Sequence, residues 1–134
     1  MMSAERLYWW SIAAFVLSLA LPAVIGTHSD PNMWGWDALT FSLTPIAIVA
    51  WPSNYGYVAA AIFLRMGHPR AAVAASVVAV ADMIFVAFVF LTESRDSPIH
   101  LPFGFLGPGY FAWLAAGVMM CMSAWRHARR QTCP

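Results

Sequence analysis

Four apolar stretches, Leu7–Gly26, Ala38–Leu64, Ala71–Leu91 and Tyr110–Trp125, fill most of this 134-residue chain. A helix crosses the hydrocarbon core of a bilayer with roughly 20 mainly apolar residues. Four such stretches joined by short polar loops constrain the fold more than any other feature. They predict an all-α, single-domain bundle of four transmembrane helices. Only 10 % of the residues are charged, against about 25 % in a typical water-soluble domain. The chain therefore lacks the polar side chains to cover its surface in water. It also has no room for a separate soluble catalytic domain.

The first stretch follows Glu5 and Arg6 and begins with Tyr8, Trp9 and Trp10, rings suited to a headgroup interface. A signal peptide is the competing reading, with Val24 and Gly26 as a cleavage site, but the apolar run is long for one. Trp34 and Trp36 anchor the loop that follows. The second stretch, as one straight helix at about 1.5 Å per residue, would be roughly 40 Å long. That exceeds the hydrocarbon core. It is interrupted by Pro52-Ser53-Asn54-Tyr55-Gly56, so the sequence predicts a helix broken, or at least kinked, at Pro52–Gly56. The segment Phe103–Gly109 is apolar but glycine-rich and is expected to lie on the interface.

Arginine sets the orientation. Arg6, Arg65, Arg70, Arg126, Arg129 and Arg130 fall on one side of a four-span arrangement, and Arg95 alone on the other. The positive-inside rule then places both termini in the cytoplasm.

Asp82 is the most informative residue. It lies about halfway along the third stretch, where a carboxylate costs roughly 2.5–3.5 kcal/mol to insert. It should face the bundle interior and find a partner. Ala75 and Ala79 share its helix face, and small residues there let a neighbouring helix approach closely. Asp82 reads either as a proton, cation or ligand site or as a structural carboxylate tying two helices together. The interruption in the second stretch lies at matching depth. Trp51, Ser53, Asn54 and Tyr55 therefore join Asp82 in one expected polar centre, for binding or for structure. Non-helical backbone at that depth must be buried in protein or line a cavity. Broken helices also occur at transporter sites.

The remaining polar features have plainer readings. Ser11 and Ser18, and Thr40 and Thr44, form stripes suited to interhelical hydrogen bonds. Met119-Met120-Cys121-Met122 gathers soft sulfur ligands, but four consecutive helical residues point to different sides and cannot converge on one ion. His28, Asp30 and Met33 give only a weak metal signal, and the four histidines have no ligand spacing. Cys121 and Cys133 suggest no disulfide. A net charge of +1 gives no reason to expect nucleic acid. No nucleophile with its base, phosphate loop or paired-carboxylate site is present. The sequence thus predicts no metal, no cofactor and no enzyme.

Gly35-Trp36, Trp51 followed by Asn54, and Leu106-Gly107-Pro108-Gly109-Tyr110-Phe111-Ala112-Trp113 resemble the pattern of an uncharacterised family of small four-helix inner-membrane proteins of bacteria. In that pattern a Trp precedes Ala-Asn-Pro, whereas here the order is Trp51-Pro52-Ser53-Asn54-Tyr55. Asp82 is not part of it. The resemblance implies a bacterial inner membrane and no particular activity. The functional expectation is a non-enzymatic interaction protein of that membrane. Its partners would be the lipid bilayer and another protein or a second copy of itself, as an accessory subunit or an immunity protein against a membrane-acting toxin. The alternative is a small channel or transporter built on Asp82 and the broken helix.

Overall fold

The computed structural model describes residues 2–26, 33–38, 45–93 and 104–132. Four α-helices dominate them: α1 (Ala4–Ala20), α2 (Pro45–Arg65), α3 (Pro69–Glu93) and α4 (Pro108–Thr132). Three short strands join them: β1 (Pro22–Gly26), β2 (Met33–Trp34) and β3 (Gly104–Leu106). Thr40 and Thr44, His28, Asp30, Arg95, His100 and Cys133 lie outside the described residues.

Local chemistry sets the helix ends. Ser3 caps α1, its hydroxyl accepting from the Arg6 amide at 3.2 Å, which satisfies one of the first-turn donors. The chain turns extended at Leu21, just before Pro22. α1 therefore stops six residues short of the expected Gly26, and Pro22–Gly26 is a strand. α2 ends at a turn where Gly67 takes φ +76°, a conformation that disfavours residues bearing a Cβ. The His68 amide returns to the Phe63 carbonyl at 2.8 Å and the Gly67 amide to Leu64 at 3.2 Å. That is a Schellman cap. Pro69 then opens α3 at the position where a missing N–H does no harm.

Two expectations are corrected here. The second helix is not broken at Pro52–Gly56; α2 is continuous from Pro45 to Arg65 with Pro52 inside it. It also starts at Pro45 rather than Ala38, because Gly35–Ala38 is a separate 3-10 turn. Beginning at Pro45 shortens the helix to about 31 Å, so length no longer demands a break. The all-α expectation holds, with four helices making up most of the described residues, and a small sheet is added to them. β1 pairs antiparallel with both β2 and β3, with Val24 opposite Leu106 and Gly26 opposite Gly104. The expected interfacial segment thus contains a strand that docks on the residues following α1.

α1 packs on α4, α4 on α3 and α3 on α2. Where α2 meets α3, Gly56 lies against Ala75 and Ala79; a Cβ on Gly56 would come within 3.1 Å of the Ala75 carbonyl. The first turn of α1 meets the last turns of α4: Ser123 Oγ donates to the Ala4 carbonyl at 2.7 Å, and Arg126 bonds the Met2 carbonyl. The α2–α3 turn lies at the same end, where Arg65 Nε donates to the Tyr8 hydroxyl at 3.4 Å. Arg6, Arg65, Arg70, Arg126, Arg129 and Arg130 therefore gather at one end of the bundle. The three strands cap the other.

Much of the interior is small and much of the exterior large, although Tyr57, Met83 and Met120 are also fully buried. Ala60, Ala72, Ala79, Ala116, Ala124, Ser53 and Ser123 are fully buried, whereas Val16, Ile84, Phe88 and Phe111 are each more than half exposed. Exposed tryptophans mark both ends. Trp9, Trp10 and Trp125 lie toward the arginines, and Trp34 and Trp36 beside the strands. Among the described residues one helix alone combines the length and apolarity of a span: Pro69–Val89, 21 residues with a mean hydropathy of 2.4. α1, with 17 residues, is at the lower limit for crossing.

Candidate functional site

Proline at 52 has no N–H to give the carbonyl four residues earlier and strains the helix around it. The residue that follows, Ser53, is fully buried and turns toward α3. Its amide donates to Asp82 Oδ2 at 3.1 Å and its hydroxyl to the same oxygen at 2.6 Å. A carboxylate from the neighbouring helix thus accepts two donors next to the proline. This lets α2 continue where the sequence alone suggested a break.

The structure divides the expected polar centre. Asp82 and Ser53 are brought together. Asn54 is buried too, but its Oδ1 accepts from Trp113 Nε1 of α4 at 3.0 Å, so it binds another helix. Tyr55 is not in the centre: its side chain is 64 % exposed, one residue round the helix from Asn54. The side chain of Trp51 lies outside the described residues.

The polar network continues through Tyr110, to which the sequence reading gave no role, and through Ser11, whose interhelical hydrogen bonding it expected. Tyr110 donates its hydroxyl to the Met83 carbonyl at 2.8 Å, joining α4 to α3. Ser11 Oγ donates to the Ala116 carbonyl at 2.7 Å and lies 2.8 Å from the Tyr57 hydroxyl. It thereby links α1 to α4 and α2. Tyr110 and Trp113 are three apart on one face, a spacing that would have signalled a paired role. Ser18 does not bond between helices as its stripe predicted; its hydroxyl turns back to the Phe15 carbonyl at 2.6 Å.

Every buried side-chain nitrogen and oxygen among the described residues has a hydrogen-bond partner. The buried members of the layer are thus satisfied within it, while the half-buried Asp82 takes its Ser53 bonds on Oδ2. Among the described residues no group of three or more His, Cys, Asp or Glu gathers to hold a metal. Met120 is buried while Met122 is exposed, so the sulfur run does point to different sides. Chemically, the layer provides one carboxylate that accepts from serine, and amide, indole and phenol groups already engaged. It can fix helices against one another. No nucleophile is activated within it.

No protein-family model, no curated protein and no solved structure matches the chain. The motif residues quoted above as resembling small four-helix inner-membrane proteins can be placed in the structure. Several of these have structural tasks. The Gly35 amide donates to the Leu21 carbonyl at 2.9 Å and the Gly107 amide to Ala23 at 2.8 Å. Asn54, Tyr110 and Trp113 carry the interhelical bonds above.

Proposed function

We propose that the chain is a four-span integral membrane protein of a bacterial inner membrane, with both termini cytoplasmic. In this reading it acts by binding another membrane protein and catalyses no reaction. One observation carries the membrane assignment: beside a few large core residues such as Tyr57, Met83 and Met120, all four helices bury alanine and serine, and they expose many large apolar side chains. In water that arrangement forfeits the main driving force of folding. In lipid it is favourable, because tails solvate large apolar side chains and small residues let helix backbones approach. The tryptophans at both ends and the arginines at one end match the aromatic and charge bias of spanning proteins.

A protein-binding role as an accessory subunit or immunity protein is supported by the polar layer, whose buried groups are hydrogen-bonded to one another. Its groups are engaged in holding helices together. A small channel or transporter is the second reading, favoured by one specific feature, the mid-helix carboxylate of Asp82. Intramembrane carboxylates are functional by default. Among the described residues both hydrogen bonds to it come from Ser53 and fall on one oxygen.

Reporter fusions test the topology. A fusion after Pro134 is expected to report cytoplasm, and one inserted at residues 27–31 the opposite side; a periplasmic C-terminus refutes it. Affinity purification in mild detergent with mass spectrometry tests the role. A stoichiometric membrane partner that persists with Asp82→Asn supports an interaction protein. Ion flux in liposomes that Asp82→Asn abolishes supports transport instead.

A further inference from the structure

Helices α1 and α2 close the ring of four through side chains alone, and between them lies a groove of about 400 Å³. Its floor is the stacked pair Phe15 and Tyr57, ring centroids 4.3 Å apart and planes within 7°. Ile12, Ala61 and Ile62 line its walls. At the arginine end the groove passes Tyr8 and Arg65, which it shares with a polar hollow of about 270 Å³ that adds Glu5 and His127.

We propose that this seam binds an anionic phospholipid, with one acyl chain in the groove and the phosphate held by Arg65 at its mouth. The proposal rests on the membrane reading above and gives that protein a specific lipid ligand. The dimensions fit. From Tyr57 to Arg65 the groove follows eight residues of helix, about 12 Å, which is most of the roughly 15 Å of hydrocarbon in one leaflet. An acyl chain lying along the helices fills such a depth, and its headgroup then falls at the arginines.

The charge fits as well. Six arginines gather at this end, and among the described residues Glu5 is the one acid there. Basic pockets between helices on the cytoplasmic side are where anionic headgroups bind. Arg65 is held ready for the task. Its Nε donates to Tyr8 and its guanidinium lies over the Tyr8 and Trp9 rings, 5.0 Å from each centroid. That fixes the plane and leaves the terminal nitrogens to make the paired contacts a phosphate accepts. A second copy of the chain fits less well. Inserted in the same sense, it would bring its own six arginines to the same end.

The test uses the full chain in mild detergent with equal amounts of dioleoyl phosphatidylglycerol and dioleoyl phosphatidylcholine. Native mass spectrometry counts the lipid retained. The wild type is expected to retain the anionic lipid preferentially. Arg65→Gln should lower that retention about fivefold, the value of one basic residue at an anionic surface. Arg130→Gln, exposed at the same end but outside the groove, should change it by less than about twofold. Val58→Trp, on the exposed groove wall, should displace both lipids. Equal retention of the two lipids, an Arg130→Gln loss as large as that of Arg65→Gln, or no effect of Val58→Trp would each overturn the proposal. The membrane reading is tested separately. Protein released into the supernatant by an alkaline wash refutes that reading itself. Protein that stays in the membrane fraction without lipid preference refutes the lipid site alone.

Discussion

The α2–α3 seam and the α1–α2 seam are made by the same helix with opposite results. Against α3, α2 presents Gly56 to Ala75 and Ala79 and adds the Ser53–Asp82 bonds. The backbones come so close that even a methyl group would crowd a carbonyl. Against α1, α2 presents Tyr57, Ala61 and Arg65 to Tyr8, Ile12 and Phe15, and a groove results. The open seam is the more apolar of the two. Water would have driven its large side chains together. In a membrane, as proposed above, lipid would exert no such pressure, and a seam would close only where small residues allow van der Waals contact or polar groups supply bonds. What separates the two seams is residue size and hydrogen bonding, and each can be altered independently.

Enlarging the closed seam should have the largest effect. Gly56→Leu places a branched side chain where a Cβ already meets the Ala75 carbonyl at 3.1 Å and Ala79 Cβ at 3.2 Å. Overpacking of this kind costs about 1–3 kcal/mol, and the upper part of that range is expected because one obstacle is backbone. Ala61→Leu at the open seam adds similar bulk into a groove and should cost less than about 0.5 kcal/mol, as substitutions away from packed features do. Thermal unfolding in detergent measures both. Equal losses would mean that the seams do not differ in closeness.

The closed seam also depends on its acceptor. Asp82→Ala removes the oxygen that takes both the amide and the hydroxyl of Ser53, beside the proline that weakens α2. A loss near the upper end of measured intramembrane hydrogen bonds, about 1.7 kcal/mol, is expected. Asp82→Asn keeps an oxygen acceptor in the same place and should recover more than half of that. Recovery of stability together with loss of function would identify a role for the charge beyond helix packing.

Much of this was legible in the sequence. Hydropathy located four helices, and arginine spacing matched the end at which six of those residues gather. Depth grouped Asp82 with Trp51, Ser53, Asn54 and Tyr55, and the structure shows which of them it pairs with, Ser53. The break was misread because the sequence exposed the lost hydrogen bond of Pro52, while the compensation came from another helix. Asn54 was placed at the right depth but with the wrong partner. Adjacent residues on a helix point about 100° apart, so Ser53 and Asn54 were bound to address different neighbours and Tyr55 to face outward. The three-stranded cap was not legible, since strands of two to five residues leave too little periodicity to detect. The groove was equally hidden, because no pattern within α1 or α2 states how closely the two helices approach.

Between the two seams stands the Asn54–Trp113 bond, which ties α2 to α4 across the bundle. Asn54→Ala leaves the indole N–H of a buried tryptophan without this acceptor. Stability is expected to fall by about 1 kcal/mol. If the layer is structural, co-purification of a partner should persist in this variant. Loss of the partner at unchanged stability would make Asn54 part of a binding surface instead.

The smallest loss among the hydrogen-bond variants is expected where Ser11 meets Tyr57 in the open seam, and its direction can be derived. Ser11 has a single hydroxyl proton, and the Ala116 carbonyl, which can only accept, takes it at 2.7 Å. The 2.8 Å contact between Ser11 Oγ and the Tyr57 hydroxyl must therefore be donated by Tyr57. Tyr57→Phe removes that donor and leaves Ser11 still bonded to α4, with no buried proton unsatisfied. The cost should not exceed the average intramembrane hydrogen bond, about 0.6 kcal/mol. Ser11→Ala removes the acceptor instead. It strands a phenol proton in a residue that is 2 % exposed and breaks the link to Ala116 as well. The serine variant should therefore lose more stability than the tyrosine variant, although both break the same α1–α2 contact. Orphaned donors cost more than absent ones. Unfolding of the two variants side by side decides it. Equal losses, or a larger loss for Tyr57→Phe, would show that the aromatic pair and not the hydroxyl holds the open seam.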